Sequence, residues 1–302
     1  MTKISAAKMT NVRDEISFLD RLDPAFDRVA AEYPFPNYLS EASRHQLRAI
    51  ATALDSLLED KRKPKLLDVG SGPLDKTAVL QRMGFDCSAV DDLSDPWHLL
   101  ADNRIRILDF AEREGIRFHL QSEDDYAIPF ATESFDIVTS IAVIEHLHDS
   151  PRHIINAMTK HLRTGGLLVV VMPNAVNLRK RLDVVRGRTN YNPLGELYHS
   201  LGSYRGHVRE YTLSETRDIC ELSGLEVRHA STFDHLGDTL PFGLRHIYRL
   251  AGKLDPTLLT GLLVIAEKPE GWVEVAEDPE SYFRAIGGAT PYNFAKADLQ
   301  NS

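Results

Sequence analysis

Three groups of residues in this chain could do chemistry. The first is KLLDVGSGP, Lys65 to Pro73, where Asp68 lies within a short apolar run just before Gly70, Ser71 and Gly72. Glycines without a Cβ let the backbone turn sharply and let a ligand approach main-chain N–H groups. The second group is acidic and spread along the chain, with Asp91 and Asp92, then Asp124, Asp125 and Tyr126. A carboxylate offers two acceptor oxygens to the donors of a ligand. Glu145, His146 and His148 form the third group, and GHVREYT adds His207 and Arg209 farther on. Histidine titrates near neutrality, so these residues are candidates for general base work.

Positioning these groups falls to strands that alternate with helices. Leu66, Leu67 and Val69 predict a buried central strand ending at the glycine turn. A helix over Ala78–Met83 leads to a second strand, Phe85–Val90, which stops at Asp91. The helix Asn103–Glu114 leads to a third, Ile116–Leu120, with Asp124 just beyond it, and Phe135–Thr139 is the fourth. Pro151 after Asp149 and Ser150 opens another helix, which is expected to end near Gly165 and Gly166. Leu167–Met172 is a wholly apolar fifth strand. Beyond a helix over Thr212–Ser223 come a sixth strand, Leu225–His229, and a seventh, Leu258–Ala266. Such alternation gives a doubly wound α/β fold, a mostly parallel sheet with helices on both faces, and it gathers all three groups at one sheet edge.

Four segments fall outside the alternation. Residues 1–60 form an N-terminal helical segment, broken by YPFPNY (Tyr33 to Tyr38) and resumed as an amphipathic helix over Glu41–Glu59. Within the main domain, residues 61–268, two insertions are expected: a cap over 175–209, rich in arginine and tyrosine, and a second over 233–255. Residues 269–302 show no clear periodicity.

Composition narrows the function. A formal net charge of −9 argues against general nucleic-acid binding, which needs a basic surface. Cys87 and Cys220 stand in no CxxC pattern, as in a reducing compartment. No signal-peptide core or membrane-length apolar stretch is present, and a cytoplasmic location is expected.

Taken together, LLDVGSGP, AVDD, DDYAIPFATESFDIVTSIAVIEHL and LRTGGLLVVVMPN resemble the ordered motifs of the class I S-adenosylmethionine-dependent methyltransferases, over about residues 64–232. Within these the closest likeness is to the small-molecule branch acting on quinones and glycans. The resemblance implies a seven-stranded, Rossmann-like sheet, S-adenosylmethionine as cofactor, and a small-molecule, sugar or lipid-linked acceptor. It places Asp68, Gly70, Ser71 and Gly72 beside the methionine part, Asp91 and Asp92 at the ribose, and Leu93 on the adenine. Asp124 is expected at the adenine amino group, Asp125 and Tyr126 along the ring, and Ile141 against the cofactor through its backbone. A third glycine is common in the first motif, and here Leu74 holds that position. Asp75 replaces the last glycine of GxGxxG, which argues against a dinucleotide, because a carboxylate beside a pyrophosphate is unfavourable.

Methyl transfer to a hydroxyl calls for a base, and His146 and His207 are the candidates. Glu145 with His146 also resembles the metal-holding segment of quinone-biosynthesis O-methyltransferases, but Ala142 stands where those enzymes carry a further acid, so no metal is assigned. Cap arginines could pair with an anionic acceptor. Tyr33 and Tyr38 could close over the cofactor, and Trp97 and His98 could line its cleft. The rival readings are N-methylation of an amine, a catalytically silent scaffold, and an RNA methyltransferase using the cap. No NPPY-like segment follows strand four, and no cysteine is placed to attack a pyrimidine.

Overall fold

The structure is a computed structural model that describes residues 17–58, 63–121, 126–235, 240 and 242–286. Its seven strands are β1 (Lys65–Val69), β2 (Asp86–Asp91), β3 (Arg117–Leu120), β4 (Phe135–Ile141), β5 (Leu162–Pro173), β6 (Glu226–Phe233) and β7 (Gly261–Glu267). They form one sheet in the order β3-β2-β1-β4-β5-β7-β6, in which β7 runs antiparallel to both neighbours. The chain winds outward from β1 to β3 and then returns to place β4 on the other side of β1. This reversal opens a crevice at the carboxyl ends of β1 and β4, where such sheets take their ligands.

Helices α1 (Phe18–Glu32), α2 (Glu41–Leu57), α3 (Asp75–Arg82) and α4 (Asn103–Glu114) belong to one face of the sheet. Their apolar stripes bury Leu22, Val29, Leu47, Ile50 and Leu54 completely, and Phe18 stacks on Phe85 at 4.6 Å between centroids. The N-terminal helices therefore share the core of the sheet. Helices α5 (Pro151–His161) and α8 (Leu213–Leu222) cover the other face. Sequence explains both starts: Ser150 caps α5 with Pro151 at its first position, and Thr212 forms a reciprocal capping box with Glu215 on α8. Helices α6 (Leu178–Val185) and α7 (Leu194–Tyr198) lie in the segment expected to be the cap, and α9 (Phe242–Leu254) lies in the second insertion.

Several boundaries differ from expectation. Helix α5 stops at His161, short of the glycines, because the His161 ring bonds the carbonyls of Ala157, Ile128 and Phe130 and Leu162 already pairs with Phe135. Strand β6 runs on to Phe233 because its pairing with β7 continues to Gly261, where a Cβ would lie 2.5 Å from the Phe233 ring. The segment after Pro269 has structure that its lack of periodicity hid. Trp272 donates its indole N–H to Ser223 at 2.8 Å, Asn156 donates to the Val275 carbonyl at 2.9 Å, and α10 (Pro279–Ile286) follows. Those contacts are scattered along an extended strap, which no hydrophobic period reports.

Leu74, where a third glycine is common in related motifs, has a φ of 66° and is fully buried. Left-handed backbone costs a leucine about 1 to 2 kcal/mol, whereas removing a buried leucine side chain costs about 2 to 5 kcal/mol. Burial wins. Leu74→Gly is therefore expected to lower the unfolding free energy by up to about 4 kcal/mol in a urea titration, and a rise in stability would show that strain dominates.

Candidate active site

The turn after β1 is built from two left-handed glycines. Gly70 has a φ of 72°, and a Cβ there would sit 2.5 Å from Val143, so no side chain fits. Gly72, with a φ of 54°, has open space where its Cβ would be. Its N–H donates to Asp91 Oδ2 at 2.7 Å, and the Leu93 N–H donates to Oδ1 at 2.8 Å. Each Asp91 oxygen keeps a further lone pair for a donor from a ligand. Burial raises the Asp91 carboxyl, and the two N–H bonds oppose that shift.

A cavity of about 140 Å³ adjoins this turn, lined by Asp68, Gly70, Ser71, Gly72, Ile141 and Ala142, with Tyr38 and Lys76 at its wall. Two buried polar atoms near the turn and Asp91, Ser71 Oγ and His98 Nδ1, have no hydrogen-bond partner among the described residues. A glycine cradle, a half-buried carboxylate with free acceptor positions and orphaned polar atoms make a polar-lined cleft that fits a nucleoside with a polar tail.

The expected cofactor residues divide into those that face this cavity and those engaged elsewhere. Asp68 is buried at the cavity but uses its carboxylate internally, accepting from Thr77 at 2.5 Å and Thr139 at 2.7 Å. Both carboxylate oxygens of Asp92 accept from one terminal nitrogen, Nη2, of Arg205, at 3.0 and 2.9 Å. Burial alone would raise Asp92, but the Ser94 N–H and the Arg205 guanidinium hold it below the ordinary carboxylate value. Leu93 is fully buried in the core. Tyr126 stacks on His153, and Asp124 and Asp125 lie outside the described residues. Tyr33 supports the turn from behind, donating its hydroxyl to the Pro73 carbonyl at 2.6 Å. Trp97 packs on Phe35 and Tyr38.

Past the end of β4, a 3-10 turn over Ile144–His146 presents Glu145 and His146 to the loop that carries His207. One carboxylate oxygen of Glu145 and one ring nitrogen of each histidine lie within 4.8 Å of one another. His146 donates its Nδ1–H to the Arg205 carbonyl at 2.7 Å, and His207 donates its Nδ1–H to Glu210 at 2.8 Å. These bonds leave the lone pair of each ring on Nε2. Burial lowers His146, and burial with His146 and Lys180 nearby pushes His207 down to about 4, so both rings are neutral at pH 7. Glu145 is fully buried, and neither of its carboxylate oxygens has a partner among the described residues. Burial pushes it up to about 7. The cluster is thus three acceptors facing one another. It could take a proton, a hydroxyl donor or a divalent cation.

Sequence reasoning missed Glu210, Lys180 and Arg205 as the residues that orient these groups. Lys180 pairs with Glu210, Glu210 fixes the His207 ring, and the Arg205 carbonyl fixes His146. The short spacing between His207 and Glu210 is the one local signal that could have pointed to this.

Residues 42–230, more than half of the chain, match the family described as methyltransferase domain. The chain belongs to that family, within the class I S-adenosylmethionine-dependent methyltransferases. No curated protein sequence matches it. Among solved structures, the YcgJ protein from Bacillus subtilis is 18% identical, with 74% of this chain and 99% of that one covered and a TM-score of 0.47. The 1,6-didemethyltoxoflavin-N1-methyltransferase of Burkholderia thailandensis, solved with 1,6-didemethyltoxoflavin and S-adenosylhomocysteine, is 16% identical over 82% of this chain and 87% of that one, with a TM-score of 0.49. The 4+2 cyclase SpnF is 14% identical over 85% and 98%, with a TM-score of 0.50. At such identities the likeness is one of fold.

The buried carboxyl of Glu145 makes stability depend on pH. Its folded value of about 7 lies above the ordinary 4.5, so its contribution is full below about pH 4.5 and is lost as pH rises through about 7. In metal-free buffer, urea titrations from pH 4.5 to 8 should show Glu145→Gln removing a fall on the order of 3 kcal/mol. An unchanged pH profile in the variant would show that the carboxylate is solvated or paired.

Proposed function

We propose that the protein methylates an oxygen of a small acceptor, a sugar or lipid-linked molecule, with His146 and His207 as the groups that take the hydroxyl proton. The observation that carries this reading is the pair of neutral imidazoles with their Nδ1 protons committed and their Nε2 lone pairs in one cluster. S-adenosylmethionine supplies a methyl group on a positively charged sulfur. In this reading Asp91 accepts from the ribose hydroxyls, the turn around Gly72 admits the chain of the cofactor, and Ile141 and Ala142 form the wall toward the histidines. The acceptor enters from the cap side, where an anionic group would meet arginines. Neutral histidines at pH 7 need no prior deprotonation, and loss of proton to Nε2 is coupled to attack by the oxygen.

A second reading is favoured by Glu145: a divalent cation held by Glu145, His146 and His207 would lower the acceptor hydroxyl's pKa, with Glu210 and the Arg205 carbonyl orienting the two rings from behind.

Calorimetric titration with S-adenosylmethionine should give one site, and Asp91→Ala should weaken it by about 1 to 3 kcal/mol. No heat at millimolar ligand would defeat the cofactor assignment. On an acceptor found by screening, His146→Ala and His207→Ala should each lower kcat by about 10²- to 10⁴-fold without changing cofactor affinity. The acid limb of the rate profile should lie below the ordinary histidine value of 6.5, because the base must be neutral and burial lowers both rings. Full activity in both variants would point to an amine acceptor, while loss of activity to a chelator and its return with metal would select the second reading.

A further inference from the structure

We propose that the outer side of the cap, together with α9, is a docking surface for an anionic lipid bilayer. On the cap Leu182, Val185, Leu194 and Tyr198 are all exposed, Val185 by 84% and Tyr198 by 79%. Helix α9 exposes Ile247, Leu250 and Leu254, at positions i, i+3 and i+7, while Tyr248 on its other side is buried. Its outer stripe is therefore apolar, the reverse of an ordinary surface helix. The two elements are tied to each other, since Arg181 at the start of α6 bonds Thr257 at 2.7 Å and pairs with Asp255 at the end of α9. These contacts bring the exposed apolar side chains of α6 near those at the end of α9, and exposed apolar side chains gathered on a surface mark an interaction site.

Charge identifies the partner. Between residues 178 and 205 six side chains are Lys or Arg and two are Asp or Glu, in a chain whose net charge is −9. Arg179, Arg186 and Arg188 on the cap and Arg249 and Lys253 on α9 are interleaved in sequence with the apolar side chains, and all five are exposed, with Arg179 and Arg188 sharing Asp183 at 4.0 and 3.8 Å. Apolar side chains interleaved with basic ones complement the headgroups and acyl boundary of an anionic leaflet. A second copy of the chain on the same patch would set these charges against one another. No described helix is long and apolar enough to cross a membrane, so the attachment is peripheral.

The same cap walls the cleft, through Arg205 on Asp92 and on His146. A bilayer on its outer side brings a lipid-borne acceptor to the histidines, which extends the lipid-linked form of the reading above.

The test is sedimentation of the full chain with vesicles of phosphatidylcholine containing phosphatidylglycerol, against phosphatidylcholine alone. Binding should occur to the anionic vesicles only and weaken with salt. Arg186→Gln with Arg188→Gln should lower the partition coefficient by about thirtyfold, since each surface arginine is worth about fivefold, and Val185→Ser with Leu194→Ser should lower it as well. Absence of sedimentation at low salt, equal binding by the variants, or a concentration-dependent dimer broken by the same substitutions would overturn the proposal. Calorimetry with S-adenosylmethionine on the same preparations separates its failure from that of the cofactor reading.

Discussion

Gly72 gives its N–H to Asp91 across the open ends of β1 and β2, and the rest of the site depends on that bond being made. Gly72 can reach only because Gly70 turns through left-handed backbone with its hydrogen against Val143. The bond holds the Asp91 carboxylate, which burial would otherwise drive toward the protonated form, as an acceptor at the rim of the cavity. Thr77 and Thr139 do the same for Asp68 one layer deeper. The floor of the cleft is therefore held by short hydrogen bonds among residues of β1, β2, β4 and α3, before any ligand contributes.

The roof is held differently. The cap touches the sheet through ion pairs and loop carbonyls: Arg205 on Asp92, Lys180 on Glu210, His146 on the Arg205 carbonyl and His148 on the Tyr204 carbonyl. Several of the arginines that the sequence offers as anion binders are thus already engaged, Arg205 with Asp92, Arg209 with Glu215 and Arg181 with Asp255. The Lys180–Glu210 and Arg205–Asp92 pairs are half-buried, so salt screens them less than it would pairs on the open surface.

The legible parts of the sequence were those in which local chemistry and fold agree. The apolar run of β5, the Ser150-Pro151 start of α5 and the glycine turn each announce a single conformation, and the structure has each of them. Asp91 at the end of β2 was legible for the same reason. What stayed hidden depends on distance in sequence. Glu145 stood out in the sequence beside His146, but only folding strips it of partners and sets it beside His207, sixty-two positions on. Asp92 and Leu93 read as cofactor contacts, yet one is bound to the cap and the other is sunk in the core. The strap after Pro269 is held at scattered points, Trp272 on Ser223, Glu274 on Lys160, Val275 on Asn156 and Glu277 on Arg152, that leave no period to detect.

The place of β7 has a consequence for how the molecule comes into being. This strand lies between β5 and β6 in space but follows both in the chain, and it contributes every sheet bond that β6 makes. A nascent polypeptide that has emerged through residue 233 carries β6 with nothing to pair to and β5 with one flank bare. Exposed strand flanks are where chains join one another, so the interval before Gly261–Glu267 leaves the ribosome is when this protein is most open to capture by chaperones or by its own kind.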